Sequence, residues 1–325
     1  MYLSRPKFWK TINIFSLALI PFSFLYFFII LFKNVIFFKS RKVKPFVICV
    51  GNVTVGGTGK TPVCLELGRF LRDRGFNVTY LTRGVGGNGS YVGKVDNKIH
   101  SAFDVGDEAI MLSKIASTYI GRNRFTAGKL AELDGADIII MDDGMQNQSI
   151  YKDITLLVFD SEYKFGNKLL LPAGPLREPL SWAFKKADFF VCTSSGDRKE
   201  NTYLEEELKQ SFSFEYIVKN IDEVKGKKFI GLSSIADPEK FIRTAKKFGA
   251  EILELISYPD HHNYSEGEIE EVLKIAKKHN CMILTTSKDA VKIHEKHFHN
   301  IVVLDLFMED HDNLNDAILN VIPKS

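Results

Sequence analysis

The chain has 325 residues, 45% of them hydrophobic and 26% charged, with a net charge of +3. That is the composition of a chain with a packed core, long enough for one large or two modest domains. The charge is too small to argue for nucleic acid, and no basic run is interleaved with aromatics, so that partner is set aside; no obligate protein partner is evident either. Cys49, Cys64, Cys192 and Cys281 lie far apart without C-x-x-C spacing, which predicts buried free thiols rather than a zinc site or disulfides.

The first element along the chain is apolar. Residues 11–32, TINIFSLALIPFSFLYFFIILF, carry no charge, and as a helix they would extend about 33 Å, enough to cross a bilayer. The run is too long for a signal-peptide core, and no small-x-small cleavage site follows. Arg5, Lys7 and Lys10 precede it, while Lys33, Lys39, Arg41, Lys42 and Lys44 follow. The larger cationic cluster on the C-terminal side predicts a membrane anchor with the rest of the chain in the cytoplasm. Pro21, Asn13, Ser16 and Ser23 leave open a bent segment dipping into one leaflet, and a buried core helix is the remaining alternative.

Past a basic linker, short apolar runs alternate with helical patterns. FVICVGN reads as a buried strand, PVCLELGRFLRDRG as a helix ending at glycine, and NVTYLTR as a second strand. A helix is predicted over 107–117, then strands at ADIIIMDDG, ITLLVFD and DFFVCTS. The charged stretch 197–210 interrupts the rhythm. From residue 228, KFIGLSS, EILELIS, CMILTTS and NIVVLDL read as strands, with helices over 238–247 and 265–278. The β-α-β order predicts an α/β fold of P-loop NTPase type, a mostly parallel sheet flanked by helices with a second, smaller α/β lobe. The expected organisation is a membrane segment and linker over 1–44, a core over 45–210, and a C-terminal lobe over 211–325 that closes over the site.

Between the first strand and helix lies NVTVGGTGKTP. The usual phosphate loop, G-x-x-x-x-G-K-[ST], would have glycine where Thr54 stands. The placement still argues for a phosphate cradle, because first-turn amides of a helix point at an anion. Thr54, Val55, Gly56, Gly57, Thr58, Gly59, Lys60, Thr61 and Pro62 are the candidate ATP contacts. Lys60 would reach the β- and γ-phosphates, and Thr61 would offer a hydroxyl to Mg²⁺. Asp142 and Asp143, after the apolar run IIIM, are where such a fold holds that cation. Glu108 is a further candidate ligand, or a first-turn partner of a helix dipole. Arg83, Arg124, Gln146 and Arg177 are candidate contacts to substrate or phosphates. Asp107 reads either as an N-cap or as a carboxylate orienting an acceptor.

GNVTVGGTGKTP, LTRGVGG, VGDEAIML, MDDGMQ, LLPAGPLREP, YPDHHNY and TTSKDAVK occur in this order. Together with the apolar N-terminal segment, and over roughly residues 5 to 295, they resemble the tetraacyldisaccharide 4'-kinase family of lipid A biosynthesis. The resemblance implies transfer of the ATP γ-phosphate to the 4'-hydroxyl of an acylated disaccharide 1-phosphate lipid at the inner-membrane surface. It implies that Asp107 takes the proton of the attacking hydroxyl or orients it, that His261 works with Asp107, and that Asp260 and His262 support them. Three departures stand out: Val85 where the family has tyrosine in RGYGG, Met145 and Asn147 in place of DDGFQH, and Ser287 in place of glutamate in TTEKD. A membrane-associated P-loop ATPase acting as a switch or partitioning factor is the alternative of another class. Val55 weakens it, since partitioning ATPases carry a lysine there. A non-catalytic scaffold would have no need of Lys60, Thr61, Asp107 and Asp143 together.

Overall fold

The computed structural model describes residues 6–36, 40–89, 91–194, 211–310 and 313–323. Arg5, Lys39 and the charged stretch 197–210 lie outside them. Helix α1 (Ile14–Ile36) leads into β1 (Phe46–Gly51), α2 (Lys60–Asp73), β2 (Val78–Thr82), β3 (Gly93–Lys94), α3 (Ala102–Val105) and α4 (Asp107–Ser113). Next come β4 (Ser117–Ile120), α5 (Arg124–Leu133), β5 (Ile138–Asp142), β6 (Ile154–Asp160), α6 (Leu180–Lys186), β7 (Phe189–Ser194) and β8 (Ser211–Val218). The second lobe holds α7 (Ile221–Val224), β9 (Lys228–Ser233), α8 (Pro238–Lys247), β10 (Glu251–Ser257), α9 (Glu266–Lys278), β11 (Met282–Thr286), α10 (Ser287–Ala290) and β12 (Ile301–Leu304). Strand β13 (Leu306–Asp310) and α11 (Leu314–Val321) complete the order.

Among the described residues the large sheet runs β13-β8-β7-β6-β1-β5-β2-β4-β3. Its centre is parallel, with β1 between β5 and β6; only the edge strands β3 and β13 run antiparallel to their neighbours. Central strands buried on both faces require apolar runs rather than alternation, and Ile138, Ile139, Ile140 and Met141 of β5 are all essentially inaccessible. Successive residues of β1 point to opposite faces: Ile48 and Val50 pack with Val63, Leu67 and Leu71 of α2, while Cys49 packs with Ala183 of α6 and Val47 with Ala127 and Ala131 of α5. Gly68 lets α2 sit directly on β2, since a Cβ there would lie 1.8 Å from the Tyr80 hydroxyl. The helix expected over 107–117 stops at Ser113, because Ser-Thr-Tyr-Ile forms β4 beside β2; β-branched and aromatic residues suit that pleated surface.

The second sheet, β10-β9-β11-β12, is wholly parallel. The chain leaves the first lobe after β8 and returns at β13, whose Leu306 pairs with Val218. Strands from both sides of position 211, where the sequence divides the lobes, therefore share the nine-stranded sheet. Phe214, Met308 and Ile318 belong to the first lobe's core.

Helix α1 is long and apolar enough to cross a membrane, with 11% of its most apolar window buried. One face docks on the loop before α6. Ser23 donates to the Leu170 carbonyl at 2.8 Å, Tyr26 to the Arg177 carbonyl at 2.9 Å, and the Phe27 and Trp182 rings meet at 5.6 Å. Phe15, Phe22, Phe24, Phe28 and Phe32 remain exposed, and a contiguous patch of that kind marks a lipid or partner surface. Replacing Phe15, Phe22, Phe28 and Phe32 by Asn in the full chain should move the protein from pellet to supernatant in vesicle co-sedimentation, with its melting temperature unchanged.

Candidate active site

Strand β1 ends at Gly51, and the loop over 52–59 turns the chain into α2. Gly56 and Gly59 adopt φ of 101° and 84°, the left-handed region that glycine enters without cost. A Cβ on Gly59 would also lie 2.6 Å from the Tyr216 hydroxyl. No side chain caps α2, which leaves the first-turn amides for an anion. The loop is braced from behind: Asn52 donates to Thr58 Oγ1 at 3.1 Å, Thr193 to the Thr58 carbonyl at 2.9 Å, and the Val55 amide to the Pro175 carbonyl at 2.9 Å. Thr54 is buried and bridges Leu176. It belongs to the scaffold behind the cradle, whereas residues 55–62 all line the cavity, so glycine is not needed at 54.

Lys60 Nζ lies 3.6 Å from Asp143 Oδ1. Asp143 has φ of 51° and accepts from Arg177 Nη1 at 2.9 and 3.0 Å. Burial opposes its charge, yet Lys60 and Arg177 hold its carboxyl down to about 2. Asp142, at the end of β5, accepts from Thr61 Oγ1 at 2.8 Å through Oδ2. Its Oδ1 is buried with no hydrogen-bond partner among the described residues. Burial, and then the neighbouring Glu108, push Asp142 up to about 7. Burial likewise raises Glu108, against the pull of Lys288. Among the described residues no three His, Cys, Asp or Glu converge as a metal-binding set; Thr61 and Asp142 stand together, with Asp143 turned toward Lys60 and Arg177.

The second lobe meets this site at Asp107, the first residue of α4, whose side chain is 1% exposed. His261 Nδ1 lies 3.0 Å from both carboxylate oxygens, and the Glu108 amide donates to Oδ1 at 2.8 Å. Lys288 and Lys292 bring ammonium groups to 3.9 and 3.8 Å of Oδ2. Burial alone would raise the Asp107 carboxyl, but the His261 hydrogen bond and the two lysines hold it below its usual range.

Between the lobes lies a cavity of about 1370 Å³. Lys60, Thr61, Glu108, Asp143, His261 and Lys288 line it, and so do Arg83, Arg124, Gln146, Arg177 and Asp260. Arg124 is buried, with its pKa lowered to about 10 by that burial. Gln146 donates to the Asn52 carbonyl at 2.8 Å and to Glu178 at 3.0 Å. Asp260 pairs with Lys288 at 3.0 Å. His262 is not among the lining residues; it meets Glu268 at 3.1 Å and stacks on Tyr258. Val85, Asn147 and Ser287 all line the cavity, whereas Met145 is core. Lys292 and Glu178 carry no signal in sequence beyond lying in two of the quoted stretches.

A family model described as tetraacyldisaccharide-1-P 4'-kinase matches residues 15–323. The chain is 35% identical over 321 residues to the tetraacyldisaccharide 4'-kinase of Rickettsia akari (strain Hartford), covering 96% of each. It is 40% identical over 249 residues to that of Parvibaculum lavamentivorans, covering 76% of this chain and 73% of the relative. A crystal structure of LpxK from Aquifex aeolicus in complex with ATP superimposes with a TM-score of 0.75 at 28% identity, covering 95% of this chain and 99% of that one.

Because Asp142 titrates higher folded than unfolded, it penalises folding increasingly as pH rises from about 4 through 7. At roughly 1.4 kcal/mol per pH unit, carried from about 4 to about 7, Asp142→Asn should stabilise the metal-free protein by on the order of 4 kcal/mol at alkaline pH. The gain should vanish near pH 4, as read from thermal melts at both pH values. Gly59→Ala should abolish ATP binding measured by titration calorimetry, because the new methyl meets Tyr216.

Proposed function

The chain belongs to the tetraacyldisaccharide-1-P 4'-kinase family, and on that premise we propose that it transfers the γ-phosphoryl group of ATP to the 4'-hydroxyl of a tetraacylated disaccharide 1-phosphate. The observation that carries this reading is one cavity holding, on one side, an uncapped helix terminus with Lys60 and, on the other, His261, with Asp107 hydrogen-bonded behind it. Phosphoryl transfer requires positioning and charge stabilisation more than covalent help. Backbone amides of the glycine loop and Lys60 would cradle the β- and γ-phosphates. The Asp107–His261 pair would orient the acceptor hydroxyl and receive its proton. A bond forms from the acceptor oxygen to the γ-phosphorus, the bond to the β–γ bridging oxygen breaks, and ADP leaves.

Mg²⁺ suits Thr61 and Asp142. The partnerless buried Oδ1 and the raised carboxyl are what a divalent cation would relieve. When bound there it supplies neutralisation of the developing phosphate charge, with Glu108 beside it. Asp143 keeps Lys60 and Arg177 in register. Arg83, Arg124, Gln146 and Asp260 are placed for polar contacts to the acceptor or the phosphates.

A lipid acceptor fits the apolar end of the same cavity, lined by Tyr26 and Ile30 of α1. The hydroxyl would enter while acyl chains stay with the helix. We assign the protein to the inner membrane with both lobes on the cytoplasmic side, from the cations that follow α1. The first lobe, with β8, β13 and α11 in it, and the lobe of β9–β12 would then close on each other around ATP and the sugar.

Purified protein in detergent with radiolabelled ATP and Mg²⁺ should label tetraacyldisaccharide 1-phosphate on thin-layer chromatography. Lys60→Ala should cost roughly 100- to 1000-fold in kcat, and Asp107→Asn a similar factor, in proteins that still melt cooperatively. Free ATP hydrolysis with the lipid unlabelled would replace this reading by a membrane-bound switch ATPase.

A further inference from the structure

The second lobe grips the first at another place besides Asp107, next to the glycine loop. Helix α8 opens with Asp237, Pro238, Glu239 and Lys240. Asp237 caps it by accepting from the Lys240 amide at 3.0 Å, and Pro238 takes the first turn, where its missing N–H costs nothing. Helical side chains lean toward the N-terminus, so Lys240 reaches past the cap rather than along α8. Its ammonium pairs with Asp160 Oδ2 at the end of β6, in the first lobe. The pair is largely sealed, with side chains 20% and 7% exposed, and the ammonium lies 5.6 Å from the centroid of the Tyr216 ring.

Asp160 is fastened to the glycine loop through its neighbours. Its Oδ1 accepts the Glu162 and Tyr163 amides at 3.0 and 2.9 Å. It stands opposite Thr193 in the β6–β7 ladder, and Thr193 donates to the Thr58 carbonyl. Tyr216 sets its hydroxyl against Gly59. Lys240, Gly57 and Asp237 line both the large cavity and a second one of about 140 Å³, so the lysine stands in the wall between them. Burial opposes the Asp160 charge, but Lys240 and the two amides hold its carboxyl below the ordinary range. A buried charge deprived of its partner is costly, so the pair favours the arrangement in which α8 stands over the loop. Arg243 with Glu162, at 3.2 Å, is exposed and adds little.

We infer that Lys240 is a positioning residue for the nucleotide: its pairing with Asp160 latches α8 over the glycine loop, and this contact, separate from the one at Asp107, sets how tightly ATP is held. The inference rests on the reading of the glycine loop as the ATP site. A site completed only in the closed arrangement loses apparent affinity in proportion to the fraction of molecules that are open. Releasing the latch therefore weakens ATP. The acceptor side keeps its geometry, because Asp107 retains His261, Lys288 and Lys292.

The test is titration calorimetry with ATP and Mg²⁺, together with steady-state kinetics, on the full chain in detergent carrying Lys240→Met, Asp160→Asn or both. Methionine keeps most of the lysine stem, and asparagine keeps the oxygen that accepts the two turn amides, so each protein should still melt cooperatively. Either single change should weaken ATP binding roughly tenfold and raise the KM for ATP by a similar factor, with the KM for the acceptor unchanged. The double variant should be no weaker than either single one, and Lys240→Arg, which keeps the cation, should bind ATP as the wild type does. Tighter ATP binding by Asp160→Asn overturns the inference, since a lysine freed from Asp160 would then be acting on the phosphates itself. Losses that add in the double variant overturn it, and so does unchanged affinity in all three proteins. Wild-type protein that takes up no ATP would instead sink the underlying reading of the glycine loop.

Discussion

A carboxylate sealed from water has to be matched by donors and cations, and Asp107 draws most of its own from the other half of the molecule. His261, Lys288 and Lys292 all come from the second lobe; apart from the Glu108 amide, these are its close partners. Leaving such a charge buried and unpaired costs several kcal/mol. The closed arrangement of the lobes and the ionised state of Asp107 are therefore one condition. Lys240 with Asp160, Arg243 with Glu162 and Lys247 with Glu215 add ion pairs across the same boundary, but the last two are solvent-exposed or partly so, where such pairs contribute little.

The second constraint is the route from the apolar helix to the glycine loop. Ser23 and Tyr26 of α1 hold the carbonyls of Leu170 and Arg177. Within that same stretch, Leu176 bridges Thr54, the Pro175 carbonyl takes the Val55 amide, and the Arg177 guanidinium grips Asp143. A short strap thus packs on the apolar helix at one side and on the glycine loop at the other. The seating of the apolar helix and the shape of the glycine loop share backbone hydrogen bonds, which fits the proposed lipid acceptor and soluble donor.

Much of this was legible along the chain. Apolar runs such as Ile138–Met141, short and rich in β-branched residues, read as strands buried on both faces, and a glycine-rich turn between such a strand and an amphipathic helix is where first-turn amides can face an anion. Elements that lack a strong pattern were not legible. Ser117–Ile120 continues smoothly from a helical stretch and becomes β4 only because β2 offers it an open edge. Leu306–Asp310 is short and mixed, and its place beside β8 depends on a return from a lobe some 85 residues long in sequence, between Val218 and Leu306.

What the sequence by itself determined was the inventory: an uncharged segment long enough for a bilayer, a parallel α/β core, a cradle at Gly56–Thr61, carboxylates at the end of β5, and a family resemblance in ordered motifs. Local periodicity and backbone chemistry are enough for these. Only the tertiary structure decided how they meet. It set Thr54 into the scaffold, turned Asp143 to Lys60 and Arg177 while leaving Asp142 with Thr61, sent His262 to Glu268, and placed Lys288 against the far nitrogen of His261. All but the His262–Glu268 contact join residues distant in the chain, where burial strengthens charge interactions and where side-chain direction, which no spacing rule encodes, selects the partner.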